Sequence, residues 1–317
     1  MAAEDARIAV VGAGPAGLIC ASLLAGRGLP VRLFEKSRGT GGRVATRQGD
    51  GFQFDHGAQF IWDAAGDPFL ASASGAGAVR PWGQAASDAG LVPHVGVPRM
   101  KDFLRALSDP LDISFSVEIS DISRVRGGWE LTAENHAERF DIVVLAIPAP
   151  QILGILDRSE DTFRDALSPV AFRPCYALLL KSSARSDGPD LLLSPNDVFD
   201  LVLRDSSKPG RPDGAECWVA HASDAWSREH LELDKSEAAG VLLSEFRKLF
   251  GPVPEPLYLA AHRWRFSQAS QFLGSDFIST SDGSLYAGGD WALGPGIEDA
   301  LRSGRAMADA ITRDMGV

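Results

Sequence analysis

The 317-residue chain has little sulfur chemistry to offer: three cysteines, Cys20, Cys175 and Cys217. That is too few for a disulfide framework and excludes the small bridge-stapled secreted class. No apolar run approaches the ~20 residues of a transmembrane helix. No signal peptide is visible ahead of the first apolar run, which begins at Ile8. The six histidines are scattered, and there is no Cys-x-x-Cys pair, no cluster with metal-ligand spacing and no nucleophile elbow, so no metal is expected. Positive charge is scarce as well. The 31 Lys and Arg face 42 Asp and Glu, a net charge of −11, which disfavours non-specific nucleic-acid binding and anionic membrane surfaces. What these absences leave is a protein expected in the reducing cytosol, long enough for one large or two ordinary domains. Its hydrophobic content of 45% is ordinary for a globular chain.

Glycine, by contrast, is plentiful (33 residues) and pointedly placed. Ile8 to Val11 reads as a short buried parallel strand. Gly12, Gly14 and Gly17 then give G-x-G-x-x-G, with Ala13, Pro15 and Ala16 filling the loop. Leu18 to Gly26 follows as an apolar helix, and Val31 to Phe34 as a second strand ended by Glu35. In such a βαβ unit the first glycine permits the tight turn, the second lets backbone approach a pyrophosphate, and the third lets helix and strand pack closely. The helix N-terminus presents free N–H groups and a positive dipole to the phosphates. Glu35 stands where a carboxylate accepts hydrogen bonds from a ribose diol. A dinucleotide is therefore expected, with NAD and FAD both open at this point. Cys20 lies inside the helix and is expected to be a small core residue.

Beyond Glu35 and Lys36 comes a second glycine pair, Gly41-Gly42-Arg43. The pair allows close backbone approach, and Arg43 offers a charge-assisted contact to a phosphate. The stretch E-K-S-R-G-T-G-G-R, followed by F-D-H-G-A-Q-F at residues 54–60, resembles the FAD-dependent amine-oxidase-like superfamily, and within it the renalase group. The resemblance places Gln59 and Phe60 beside a flavin ring and its substrate. It continues through Pro148-Ala-Pro-Gln151, the strand Tyr176-Ala-Leu178, the segment from His221 to Leu231, the strand from Ala261 to Phe266, and Gly289-Asp290-Trp291. Val97 stands at a family lysine and Arg99 at a family glycine.

Between these landmarks, residues 61–96 read as irregular connection with one short helix near Pro68 to Ser74. Val97 to Leu107 reads as a helix starting at Pro98, with Met100, Phe103, Leu104 and Leu107 on its apolar face. Ile113 to Ile119 is expected to pair with Trp129 to Thr132 through a turn at Gly127-Gly128. By resemblance, the backbone of Ile119 touches an adenine. Asp141 to Pro148 reads as a buried strand. From about 150 to 275, strand-like runs (Cys175 to Leu180, Cys217 to His221, Leu257 to His262) alternate with helices and turn-rich loops at 182–194 and 206–214. A helix over 236–250 carries an apolar stripe. A last strand ends in Gly289-Asp290, and a final helix opens at Gly296-Ile297. In flavoproteins of this class such an aspartate holds the ribitol and phosphate region. The helix N-terminus stabilises negative charge at N1 and O2 of the reduced ring, with the Ile297 N–H making that contact. Family members carry E-G-A where this chain has Glu298-Asp299-Ala300, which puts an added carboxylate near the helix start.

The expected fold is therefore α/β: a discontinuous Rossmann-like FAD-binding domain (1–60, 97–148, 276–317) with an inserted mixed-sheet α+β substrate domain (61–96, 149–275), as in amine-oxidase and p-hydroxybenzoate-hydroxylase-like flavoproteins. Only one glycine fingerprint is present, so a dedicated domain for a second pyridine nucleotide is not expected. No Cys or His lies in 291–297, where some amine oxidases attach their flavin, so FAD is expected to be non-covalent. The resemblance implies oxidation of isomeric dihydronicotinamide dinucleotides to NAD(P)+, with O2 as acceptor. It sets Gln59, His221, Trp264 and Tyr176 around the substrate: an aromatic wall for a planar ring, His and Gln for its carboxamide. Amine oxidation is the rival reading, weakened because the strand at 173–180 has no lysine before Lys181 at its end. A non-catalytic flavin redox sensor is the third. The oligomeric state is not legible.

Overall fold

The computed structural model describes residues 6–62, 64–83, 92–134, 136–158, 160–183, 188–214, 216–251 and 254–316. Parts of the expected connection at 61–96 and of the turn-rich loop at 182–194 lie outside them. The chain forms two compact units, 1–42 with 104–171 and 269–317, and 43–103 with 172–268. These boundaries differ from the sequence expectation. Residues 43–60 and 97–103 join the second unit, because Phe52–Asp55 is hairpinned to Thr46–Gly49 there and Met100 donates its N–H to the Asp55 carboxylate. Residues 149–171 and 269–275 stay with the first. Its helix Ala149–Ile155 is bonded to Asp161–Leu167 through Arg164, and Leu273 and Gly274 donate to the Trp291 and Ala292 carbonyls.

The first unit is built on a six-stranded sheet in the order Ile278–Ser279, Leu285–Ala287, Ile142–Leu145, Ile8–Val11, Val31–Glu35, Asp112–Phe115. All but the first of these are parallel to their neighbours. Ile8–Val11 and Ile142–Leu145, at the centre, are buried at every residue, as a sheet covered on both faces requires. The helices Pro15–Gly26 and Ile297–Met315 meet at Gly304, where a Cβ would lie 2.2 Å from the Ala16 carbonyl oxygen. Ala16 thus serves helix packing. A separate antiparallel sheet comprises Ile119–Val125, Gly128–Ala133 and His136–Phe140. This corrects the expected pairing: the partner of Gly128–Ala133 is Ile119–Val125, while Asp112–Phe115 extends the parallel sheet beside Val31–Glu35.

The second unit has a five-stranded sheet in the order Leu191–Leu193, Phe199–Arg204, Glu216–Ala222, Ala171–Ser182, Tyr258–Gln271. Helix Lys235–Phe250 buries Leu242, Leu243 and Phe246 against one sheet face, which presents Tyr176, Leu178, Leu180, Trp218 and Ala220. The expected helix at 97–107 is shorter at its start: a 3-10 turn, Met100–Leu104, runs into Arg105–Ser108. Pro98 stays outside because its carbonyl accepts from Gln53 and Arg211, and the Asp102 side chain caps the Arg99 N–H.

Candidate functional site

In the first unit the glycines shape a cradle. Gly12 has φ +105°, and a Cβ on it would sit 2.7 Å from the Ala146 carbonyl oxygen. On Gly17 it would sit 1.9 Å from the Gly12 oxygen, so no side chain fits there. Gly14 differs: a Cβ would meet nothing within 4 Å. The space beside it is open where the backbone fingerprint requires room for a pyrophosphate. Gly14 is also the N-cap of the first helix and supplies no side-chain cap, so first-turn N–H groups remain for an anion. Pro15 opens that helix.

The second glycine pair locks this loop. The Gly41 N–H donates to the Ala13 carbonyl at 2.8 Å, and Gly42 (φ +53°) lies so close that its Cβ would touch the Gly14 Cα at 3.4 Å. Glu35 is buried; its Oε2 accepts from the Ala13 N–H at 2.9 Å and its Oε1 from the Ser37 N–H at 2.7 Å. Each carboxylate oxygen keeps a second acceptor position for a ribose hydroxyl. Lys36 is exposed, in a loose ion pair with Glu118 at 3.7 Å. Ile119 is buried at a register shift between 119 and 121, where backbone leaves the regular ladder. At the C-terminal strand end, Gly289 (φ +154°) donates its N–H to the Ser303 hydroxyl, and Asp290 is buried at the start of the short helix Asp290–Leu293. The added carboxylate of the 298–300 segment has a structural use. Asp299 accepts from the Gly296 N–H at 2.9 Å, capping the last helix one residue before Ile297, and burial raises its pKa.

The second unit holds a polar and aromatic cluster. Gln59 is buried, and its amide orientation is fixed by its partners. Nε2 donates to the Asp55 and Gly57 carbonyls, which can only accept; Oε1 accepts from Lys208 Nζ at 2.8 Å, which can only donate. The amide nitrogen also lies 3.4 Å from His221 Nε2. Both protons of that amide nitrogen go to the Asp55 and Gly57 carbonyls, and the His221 ring also bonds to the His56 backbone. Burial, then the charge of Lys208, pushes the His221 pKa down to about 4. His56 falls to about 4, chiefly by burial with Arg47 adding, and His262 to about 3 by burial and then His56. All three imidazoles are neutral at pH 7. Trp264 Nε1 donates to the His56 carbonyl at 2.8 Å, and its ring stacks on His56 at 5.4 Å and meets His262 edge-on at 4.3 Å. Phe60 is half-buried and stacks on Trp82 at 5.7 Å. Arg43 belongs to this unit: its guanidinium donates to the Ser267 carbonyl at 3.2 Å and lies over Phe172 at 5.6 Å.

Tyr176 does not join the cluster, and this corrects its expected role. Ala177 is paired directly with His221, so Tyr176 projects from the opposite sheet face. There it is fully buried, edge-on to Trp226, with its hydroxyl donating to the Leu231 and Leu233 carbonyls.

Beneath Gln59 lies a network absent from the sequence reading. Lys208, Asp55, Asp205 and Arg211 are all essentially buried. Lys208 Nζ sits 2.8 Å from Asp205 and 3.5 Å from Asp55, and Arg211 reaches Asp55 at 2.5 Å. Arg211 also donates to the Gly96 and Pro98 carbonyls. Two cations and two carboxylates balance, which is what makes such burial tolerable. Burial raises Asp205 to about 6 against the pull of Lys208, with Asp55 adding to the rise; the Lys208 and Arg211 charges hold Asp55 below its usual range despite burial. The one available signal was Asp55, which lies inside the F-D-H-G-A-Q-F stretch. The three free thiols are also buried, and burial lifts Cys20 and Cys175 to about 12 and Cys217 to about 11, which removes them as nucleophiles.

A parallel sheet with a glycine cradle, a buried acid ending its second strand, and a capped C-terminal helix define a dinucleotide-binding oxidoreductase. The chain belongs to the family of flavin containing amine oxidoreductases, whose profile matches residues 83–312, and residues 10–71 match an NAD(P)-binding Rossmann-like domain. It is an FAD-dependent oxidoreductase of the renalase-like branch. It is 24% identical to renalase of Mus musculus over 295 residues, covering 83% of this chain and 85% of that protein. A zeta-carotene-forming phytoene desaturase of Myxococcus xanthus is 47% identical over 58 residues, only 11% of its length. Among solved structures, a putative protoporphyrinogen oxidase from Exiguobacterium has a TM-score of 0.78 at 13% identity, covering 97% of this chain and 98% of that one. Cyclohexylamine oxidase from Brevibacterium oxydans has a TM-score of 0.77 at 14% identity, covering 99% and 100%. These two share the fold. Among the described residues no helix is long and apolar enough to cross a membrane.

Proposed function

We propose that the protein oxidises isomeric dihydronicotinamide dinucleotides, 1,2- or 1,6-dihydro-NAD(P), to NAD(P)+. When bound, FAD supplies the hydride acceptor at N5 and passes the two electrons to O2, which takes up two protons to give H2O2. In this reading the first unit holds FAD non-covalently, with Gly14 and Gly42 along the pyrophosphate, Glu35 on the adenosine ribose, and Asp290 and the Ile297 N–H on the flavin side. The second unit recognises the substrate.

The observation that carries the reading is the neutrality of the cluster around Gln59. His221, His56 and His262 are uncharged at pH 7, and the two nearby carboxylates, Asp55 and Asp205, are matched by Lys208 and Arg211. A neutral dihydronicotinamide finds there an aromatic face at Trp264 and, in the neutral His221 imidazole beside Gln59, a hydrogen-bonding group for its carboxamide. An ammonium substrate finds no unmatched carboxylate in this cluster, and the charges of Lys208 and Arg47 act against it. This disfavours amine oxidation on grounds independent of the missing strand lysine.

The test is anaerobic mixing of the yellow holoenzyme with 1,2- and 1,6-dihydro-NAD. The expected result is loss of the flavin absorbance, followed by peroxide release on admitting air. Bleaching by amines alone overturns the reading, and bleaching by none of these reductants favours the redox sensor.

A further inference from the structure

In the second unit, cations are repeatedly matched: Arg99 with Asp102, Arg204 with Glu216, Lys208 and Arg211 with Asp205 and Asp55, Arg228 with Asp224, Lys248 with Glu245, and Arg265 with Glu232. Arg47 and Lys181 break this pattern. Both are half-buried, and among the described residues neither has a carboxylate within ion-pairing distance; their side chains rest on aromatic groups instead. Arg47 Nη1 donates to the Tyr258 hydroxyl at 3.1 Å, and Lys181 Nζ lies 4.6 Å from the centre of the Phe52 ring. The two sites are joined by the Phe52–Tyr258 ring contact at 5.0 Å. Unmatched half-buried cations are unfavourable unless something completes them, and in a chain of net charge −11 the surplus is local.

The placement is set by strand geometry. In the hairpin Thr46–Gly49/Phe52–Asp55, Arg47 is paired with Phe54, so Arg47, Phe52 and Phe54 share one face while Thr46 and Asp55 take the other, toward Lys208 and Arg211. Along Tyr258–Gln271 the residues Tyr258, Ala260, His262 and Trp264 lie on one face. At about 3.3 Å per residue the line from Tyr258 to Trp264 is roughly 20 Å long, with the small Ala260 as its floor. Lys181 is paired with Cys217, and Ala177 with His221, four residues further along each strand. Lys181 and His221 therefore face the same side of the sheet. The charge of Arg47 reaches both His56 and His262. One end of the shelf is thus the neutral cluster with Trp264, and the other is an unmatched cationic pair.

We propose that Arg47 and Lys181 form an anion subsite that holds the diphosphate of the dinucleotide substrate while its nicotinamide lies at the Trp264 end. This rests on the function proposed above and adds to it why the substrate is a dinucleotide. Arg47 offers a planar fork of donors to phosphate oxygens, and Lys181 a point charge beside it. The Tyr258 hydroxyl and the Phe52 ring hold the two cations in place before the ligand arrives.

The test compares isomeric dihydro-NAD with the corresponding dihydronicotinamide riboside, which lacks the diphosphate, on the purified holoenzyme. Arg47→Gln and Lys181→Met are each expected to raise the KM for the dinucleotide about tenfold and to leave kcat, flavin content and the KM for the riboside unchanged. Raising the salt concentration is expected to weaken dinucleotide binding to the wild type more than to the double variant. Arg47→Lys is expected to recover most of the affinity. Should Arg47→Gln fail to fold, Lys181→Met carries the comparison, since among the described residues its ammonium rests on the Phe52 ring and in no ion pair. A dinucleotide KM within twofold of wild type in a flavin-replete variant overturns the subsite. So does equal weakening of dinucleotide and riboside, or loss of FAD, which would assign the cations to the cofactor. A wild-type enzyme reduced by neither compound overturns the reaction itself, and the subsite with it.

Discussion

The two units make their sites by opposite means. In the first, the cradle is almost all backbone: Gly12, Gly17 and Gly42 matter for what they lack, and Glu35 spends its carboxylate holding the loop as much as awaiting a ligand. In the second, the site is all side chain. Gln59 is oriented by Lys208, Lys208 is held by Asp205 and Asp55, and the hairpin carrying Asp55 is held in turn by Arg211. A backbone site tolerates no added atom where its strands and loops touch, as at Gly12 and Gly17. A site built on buried charge tolerates isosteric change but depends on every partner's protonation. The comparison says where each unit is brittle.

The largest effect is expected in the first unit. Gly17→Ala drives a Cβ into the Gly12 carbonyl at 1.9 Å, against backbone that cannot yield; loss of folded protein or a Tm lowered by more than about 10 °C is expected in thermal melts. Gly14→Val, where the Cβ space is open, is expected to fold near wild-type Tm yet purify without flavin. If Gly17→Ala keeps its flavin and its Tm, the backbone account of this unit is broken.

The next effect belongs to the charge network. Lys208→Met leaves two buried carboxylates facing Arg211 alone, and a loss of about 3–5 kcal/mol is expected in urea unfolding. Adding Asp205→Asn restores the charge balance and is expected to return most of that loss. A single variant as stable as wild type would show the network to be dispensable.

Acid sharpens the contrast further. The folded pKa values of His56 and His221, about 4, and of His262, about 3, lie below the unfolded value of about 6.5. The stability these neutral rings provide is complete above pH 6.5 and is lost as pH falls toward 4. Asp205, raised to about 6, works the other way: its folded form keeps a proton that the unfolded chain releases, so it gains stability as pH drops below 6. Three imidazoles against one carboxyl leave a net uptake of about two protons on unfolding near pH 5. Stability is therefore expected to fall by about 3–4 kcal/mol between pH 6.5 and 5 in urea titrations, with the second unit opening first in hydrogen exchange. A flat profile would contradict the neutral cluster.

The smallest effect is the cleanest check on the corrected residue. Tyr176→Phe removes only the hydroxyl bonds to the Leu231 and Leu233 carbonyls. It is expected to cost about 1–2 kcal/mol of stability with turnover unchanged. A loss of turnover at full stability would return Tyr176 to the substrate.

The first unit was legible because its requirements are positional: glycines at fixed spacing, a strand before, a helix after, and an acid at the next strand's end. The second unit was legible in its strands and in the stripe of Lys235–Phe250, but less so in its chemistry. Lys208 and Arg211 sit in a Ser-, Pro- and Gly-rich turn that reads as solvated; Asp205 is local to it, but Asp55, the second carboxylate their burial requires, is about 150 residues away. No local pattern carries such a pairing. Tyr176 was misplaced for a subtler reason. Its strand was read, but which of two sheet faces it shares depends on a register with Glu216–Ala222 that only pairing reveals. The same limit exchanged Ile113 and Ile122 as partners of the Trp129 strand.

The buried thiols acquire a meaning from the proposed chemistry. An enzyme that passes electrons to oxygen bathes its own surface in peroxide, and peroxide attacks the thiolate. With Cys20 and Cys175 lifted to about 12, roughly one molecule in 10⁵ carries either thiolate at pH 7, and both residues are buried. The chain keeps its few cysteines out of reach of its own product, a form of self-tolerance that needs no disulfide and no repair.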